Sequence, residues 1–245
     1  MKIKHLCLII LPVLAVTLLL AEDELALWNR ARSIADANLN LIPGITIQEM
    51  QTVDKSDKIL QSSKIIITHQ LDEDGGISNI LIDASANGEK DDEKVSEELI
   101  AQMLERDLTP KREGIFYTEP GDRLKIRLTG KGKEIEGFYC YEYETEYSNV
   151  GPDGKDVKFT GSYWLDGDSG APIYNVFTMD KTPLLVRNLK IERWFDYDRE
   201  TNDWYLREIL TTTDISMILK RLTNITRITH SDHWLYEREE LIDDL

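Results

Sequence analysis

Cysteine, histidine and positive charge are scarce in this chain, and each shortage closes off a class of function. Two cysteines occur in 245 residues. Cys7 lies in an apolar N-terminal run, which leaves Cys140 without an intramolecular partner, so no disulfide scaffold is expected. A domain of this length builds a sufficient core without one. Cys140 sits in no local pattern that activates a thiol, and it reads as a small buried hydrophobe. Past His5 the histidines are His69, His230 and His233, which leaves few candidates for a general base. Lys and Arg number 29 against 45 Asp and Glu, a net charge of −16. Such an acidic balance argues against nucleic acid and anionic membrane surfaces as partners.

Long apolar runs are also missing beyond Leu20. The one such run, Leu6–Leu20, is too short to favour a membrane span. Lys2 and Lys4 precede it, and Ala21 separates it from the acidic Glu22, Asp23 and Glu24. Residues 1–21 therefore read as a secretory signal peptide. Leu19 stands where a small residue is preferred at a cleavage site. Cys7 has no small-residue box before it, so lipid attachment there is not expected. Residues 22–245 suit a single domain.

Residues Asp23–Asn38 are expected as a helix, with Leu25, Trp28, Ala31 and Ala35 recurring at helical spacing. Three alternating runs follow, Ile45–Val53, Ile59–Leu71 and Ile77–Ala84. Polar turns at Asp54–Asp57 and Asp72–Gly76 join them as an antiparallel meander. Val95–Asp107 is a second helix, apolar along Val95, Leu99, Ile100, Met103 and Leu104, either a lid or an ordinary helix on a sheet. From Phe116 the chain is nearly all strand-like: Arg123–Leu128, a turn at Gly130–Lys133, Phe138–Tyr147, Lys155–Leu165, Ala171–Met179, Leu189–Tyr197, Trp204–Thr213 and a Thr-rich Asn224–Trp234. Asp214–Leu222 fits either a short helix or a loop. Sustained alternation implies one wet and one buried face, hence an antiparallel sheet. A sheet of about ten strands curls, and its apolar face needs the helices as a partner layer. The expected fold is mainly β, a curved antiparallel sheet forming an incomplete barrel closed by two or three helices. A closed barrel or a two-sheet sandwich is the alternative.

Period two puts Tyr139, Tyr141 and Tyr143 on one face, opposite Glu142, Glu144 and Glu146. A buried tyrosine hydroxyl needs a partner. A cavity holding water or a ligand headgroup supplies one more readily than a dry core. The expected ligand site is this tyrosine face, extended by Phe159, Tyr163, Ile173 and Phe177. Trp28, Leu99, Met103 and Leu104 close it from the helical side. The alternative is that the same side chains fill a solid core.

Taken in order, the signal peptide, the helix DELALWNRARSIADA, the meander, the helical insertion and GFYCYEYETEY resemble LolA/LolB-type lipoprotein carriers. The hairpin YWLDGDSGAPIY, PLLVRNLKIERWFDY and WYLREILTTT continue that resemblance, which covers most of Glu22–Trp234. It implies a lidded apolar cavity in a monomeric periplasmic carrier of a bacterium. Its cargo would be the acyl chains of a lipid or lipoprotein. Its partners would be an inner-membrane transporter or an outer-membrane acceptor, with no cofactor and no chemistry. That family's interior arginine has no matching motif here, and Arg32, Arg123, Arg127 and Arg193 all stand as candidates. The alternative is a non-catalytic protein-interaction module of the cell envelope.

One stretch points elsewhere. GDSGAP resembles the nucleophile motif of trypsin-like proteases, with Ser169 as nucleophile. A base preceding it would have to be His69, at a strand end. The bland reading makes Gly167–Gly170 a turn, Ser169 a solvent-facing residue of it, and Ser169→Ala nearly neutral. Asp166, Asp168 and Gly170 echo a calcium loop, but Phe177 stands where its bidentate acid belongs. His230 and His233 would point to opposite faces of a strand, so a shared metal needs a bend.

Overall fold

The computed structural model describes residues 25–237 apart from 88, 91–94, 96, 151–155, 181, 183–184 and 218–219. The expected signal peptide lies outside the described residues. Helical residues 25–37 form α1. The strands that follow are β1 (Leu41–Ile42), β2 (Ile45–Asp54), β3 (Ile59–Leu71), β4 (Ile77–Ala86) and β5 (Glu89–Lys90). Then come α2 (Glu97–Leu104), a 3₁₀ turn (Ile115–Tyr117), β6 (Leu124–Ile135), β7 (Phe138–Val150) and β8 (Asp156–Asp166). The chain closes with β9 (Pro172–Met179), β10 (Val186–Tyr197), β11 (Trp204–Met217), β12 (Lys220–Ser231) and β13 (Trp234–Leu235).

Eleven strands make one antiparallel sheet in the order β5-β4-β3-β2-β12-β11-β10-β9-β8-β7-β6. It is two meanders joined where β2 pairs with β12. Among the described residues β5 and β6 are free edges, so the sheet is open and no barrel closes. β1 pairs separately with β13, tying the chain after α1 to the C-terminal segment.

Two local expectations are corrected. Gly130–Lys133 is not a turn but an irregular stretch inside β6, where Leu128 opposes Tyr143 and Gly132 opposes Tyr141. The turn falls instead at Glu136 and Gly137, both at positive φ (51° and 84°), which matches the twist of a two-residue hairpin. Asp214–Leu222 is neither helix nor loop over most of its length. β11 runs on to Met217 and β12 starts at Lys220, the two paired from Met217–Lys220 to Glu208–Thr229.

Cross-strand register shows that both helices cover the same face. Directly paired residues share a face, and the row Phe177, Ile191, Thr211, Thr226, Met50, Ser63, Ala86 runs from β9 to β4. Phe177 belongs to the cluster under α1, with Trp28, Ala31, Ala35, Phe116, Leu124, Tyr143, Tyr163 and Leu165. Ala86 belongs to the cluster under α2, with Ile65, Ile67, Ala84, Val95 and Met103. Between the two covered ends the inner face is half-buried and largely polar, carrying Thr211, Thr226, Asn224, Gln48 and Thr52.

Candidate functional site

α1 presents Trp28 to three aromatic strand and loop residues. Its ring centroid lies 5.4 Å from Phe116, 5.7 Å from Tyr143 and 5.7 Å from Tyr163, and Tyr163 lies 5.3 Å from Phe177. These spacings and tilts are the favourable ones for aromatic pairs. Trp28 is fully buried, yet its Nε1 has no hydrogen-bond partner. Burying such a donor unpaired costs about 1–3 kcal/mol. Gly161 makes room for this layer, since a Cβ there would stand 1.9 Å from the Val176 carbonyl and 2.8 Å from the Phe177 ring.

Toward the C-terminal end of α1 the packing opens into a cavity of about 610 Å³, within the size range of small-molecule sites. Phe159, Tyr163, Phe177, Ile191, Phe195 and Ile209 make its apolar wall. Ala35 and Asn38 of α1 and the segment between Arg106 and Tyr117 cover it. That segment is held to α1 from three points. Tyr117 donates to the Ala35 carbonyl at 2.9 Å, Arg32 donates to the Phe116 carbonyl at 2.9 Å, and Arg112 pairs with Asp36 at 2.9 Å.

The expected site residues divide among three places. Phe159, Tyr163 and Phe177 line the cavity. Trp28 and Tyr143 lie in the packed aromatic layer beside it, and Ile173 is buried in a neighbouring cluster with Cys140 and Trp164. Leu99, Met103 and Leu104 lie apart, on the β3–β4 end of the sheet. Tyr139 is 57% exposed, and Tyr141, half-buried, packs edge-on against it at 5.5 Å. Sequence reasoning missed the cover from Arg106 to Tyr117; its signal was the aromatic pair Phe116 and Tyr117 between Pro110 and Pro120. Of the candidate arginines, Arg193 lines the cavity. Arg32 pairs with Glu119, Arg127 pairs with Glu144, and Arg123 is exposed. Burial drives the Tyr163 hydroxyl up to about 12, against the pull of Arg193.

A buried polar chain anchors the start of the covering segment. Asn79 Nδ2 donates to the carbonyls of Leu104 (2.9 Å) and Arg106 (2.7 Å). Its Oδ1 is thereby left to accept from His69 Nδ1 at 2.7 Å. In neutral His69 the other nitrogen, Nε2, accepts from the Thr46 hydroxyl at 2.7 Å, and Thr46 Oγ1 accepts from His230 Nδ1 at 3.0 Å. Burial first, and the charge of Arg106 second, hold His230 down to about 3. His69 is also lowered, chiefly by burial.

The GDSGAP hairpin is a structural staple. Ser169 Oγ donates to Asp166 Oδ2 at 2.7 Å and accepts from the Ala171 amide at 3.1 Å. Asp166 is 1% exposed and its Oδ1 accepts from Arg199 at 3.1 Å. Ser169 is therefore not a free solvent-facing residue, because its hydroxyl completes the satisfaction of a buried carboxylate. Gly170, at φ 84°, abuts α1, where a Cβ would meet Arg30 Cβ at 2.7 Å and the Leu27 carbonyl at 3.0 Å. His69 is engaged with Thr46 and Asn79 on β2 and β4, so no serine–histidine pair forms. Cys140 is buried, and desolvation pushes its thiol up to about 12, which leaves it inert at neutral pH. Among the described residues no group of three or more His, Cys, Asp or Glu is placed to hold a metal.

No family model and no curated protein matches the chain. Among solved structures, an outer membrane lipoprotein-sorting protein domain from Vibrio parahaemolyticus is similar at 11% identity and a TM-score of 0.35, covering 85% of this chain and 93% of that one. A DUF1329 family protein from Desulfovibrio piger follows at 12% identity and a TM-score of 0.34, covering 86% and 92%. A chain of the Pseudomonas aeruginosa MucA/MucB complex matches at 10% identity and a TM-score of 0.23, covering 83% and 93%. This is a weak resemblance of fold, which assigns neither family, ligand nor partner.

Proposed function

We propose that the chain is a non-catalytic carrier of the bacterial cell envelope that holds the acyl chains of a lipid or lipoprotein beneath α1. The observation that carries this reading is the cavity of about 610 Å³ with its wall of Phe159, Phe177, Ile191, Phe195 and Ile209. An apolar wall with a few convergent polar groups is what an acyl chain with a polar end requires. The signal-peptide pattern of residues 1–21 supports export, and with it a periplasmic location. Native mass spectrometry of the purified protein tests the reading, together with titration by a fluorescent fatty-acid probe. Co-purifying lipid is expected, along with a probe site that Ile209→Trp blocks. Absence of both lipid and probe binding refutes it.

A second reading, an envelope protein-interaction module, is favoured by one feature. Ile80 and Ile82, two residues apart on β4, are exposed by 41% and 57%. Contiguous exposed apolar surface marks protein contacts. Under that reading Ile82→Lys abolishes co-purification of an envelope partner and leaves probe binding unchanged.

A further inference from the structure

Three residues in register cross three strands beside the cavity: Tyr163 on β8, Asn175 on β9 and Arg193 on β10. Tyr163 and Arg193 line the open volume. Asn175 is fully buried between them, and neither its amide nitrogen nor its amide oxygen has a hydrogen-bond partner. Directly paired side chains stand roughly 5 Å apart, so the amide is close to whatever is held between its two neighbours. Buried polar groups in proteins are almost always satisfied, and an unmet carboxamide marks a place where a partner is missing.

Charge says which kind of partner. Tyrosines aside, the ionisable residues lining the cavity are Arg106, Glu113 and Arg193, a net positive lining in a chain of net charge −16. Arg193 pairs with no carboxylate among the described residues. It hydrogen-bonds the Tyr163 hydroxyl, and its guanidinium carbon lies 5.9 Å from the Phe177 ring centroid. A guanidinium carries five N–H donors, so donors remain after the tyrosine is served.

We infer that Arg193 and Asn175 form a headgroup subsite for an oxyanion, carboxylate or phosphate, at the polar end of an acyl chain lying in the cavity. This rests on the carrier reading and names the ligand's polar end. Arg193 supplies the charge-assisted contact. As its side chain turns from Tyr163 onto the anion, the amide of Asn175 is uncovered and donates from Nδ2. A neutral headgroup leaves the guanidinium no better served than water does.

The test compares three ligands of one chain length, dodecanoate, dodecyl phosphate and dodecanol, by displacement of a fluorescent fatty-acid probe at neutral pH. The wild type is expected to bind at least one anion about tenfold or more tighter than dodecanol. Whichever anion is preferred identifies the source of the oxyanion. Arg193→Met removes the preference and leaves dodecanol unaffected, while Arg193→Lys retains part of it. Asn175→Leu, close in shape and without unmet polar atoms, weakens anion binding yet melts no lower than wild type. Equal affinity for dodecanol and both anions, or a preference that survives Arg193→Met, overturns the subsite and leaves the carrier reading standing. Unchanged anion affinity in Asn175→Leu removes Asn175 from it. Failure of all three ligands to bind brings down the carrier reading and the subsite together.

Discussion

The two covered ends of the sheet are built from different side chains under helices that sit on the same face. Under α2 the contacts are aliphatic and small, with Ile65, Ile67, Ala84, Ala86 and Val95 all at 4% exposure or less. Branched aliphatic groups fill space evenly, and among the described residues no buried side-chain polar atom is left unpaired there. Under α1 the contacts are planar rings, among them Trp28, Phe116, Tyr143, Tyr163 and Phe177. Rings stack at fixed tilts and do not interdigitate as freely. The cavity opens at this end, and Trp28 Nε1 and the Asn175 amide stand unpaired there. The aliphatic end serves stability. The aromatic end trades close packing for a void and for unmet hydrogen-bonding capacity, and those are the raw materials of a binding site.

The sharpest way to break this contrast is to truncate one residue at each end. Trp28→Ala is expected to cost about 3–5 kcal/mol in urea denaturation, and Met103→Ala, under α2, about 2–3 kcal/mol. A Trp28→Ala protein as stable as wild type would mean that the aromatic layer contributes nothing to the stability of the fold. Gly161→Ala drives a methyl into the Val176 carbonyl and the Phe177 ring. It should cost about 1–3 kcal/mol and perturb the near-ultraviolet circular dichroism of the aromatic layer. Ser169→Ala takes a hydrogen bond from the buried Asp166 carboxylate, and about 1.5–2 kcal/mol of stability should go with it. No labelling of Ser169 by a fluorophosphonate is expected.

Acid sharpens the comparison from the other side. His69 and His230 are buried at the edge of the α2 end with lowered pKa values. A group whose folded pKa lies below its unfolded value binds fewer protons when folded, so its stability contribution is complete above the unfolded value near 6.5. It declines as pH falls from there toward about 3, the folded value of His230. Thermal melts should show a loss of roughly 1 kcal/mol per pH unit on entering that window, reduced in a His230→Gln variant. The smallest effect expected is that of Tyr141→Trp on probe uptake. Tyr141 packs against Tyr139 and Gly167 and not against the cavity, so uptake should be unchanged.

Period-two alternation made the strands and the antiparallel sheet legible, because each strand has to choose a face. Spacing of Trp28, Ala31 and Ala35 made α1 legible for the same reason. The true hairpin at Glu136 and Gly137 was harder to see, since Gly130 and Gly132 offer an equally good turn composition in the middle of β6. The candidate site was half legible. Phe159, Tyr163 and Phe177 share a cavity wall by strand periodicity, whereas Leu99, Met103 and Leu104 pack on the same face over β3 and β4, apart from that cavity. A helix's apolar stripe says that it must pack, not against which strands.

By itself the sequence determined the local elements, the alternation of wet and buried faces, and the acidity of the surface. These depend on chemistry read within a few residues. Only the tertiary structure decided that β2 pairs with β12, that α1 and α2 share a face while standing over different strands, and that Arg193 and Asn175 come together beside a cavity. Those outcomes depend on registers between segments far apart in the chain, where periodicity constrains which face a residue takes but leaves open what it meets.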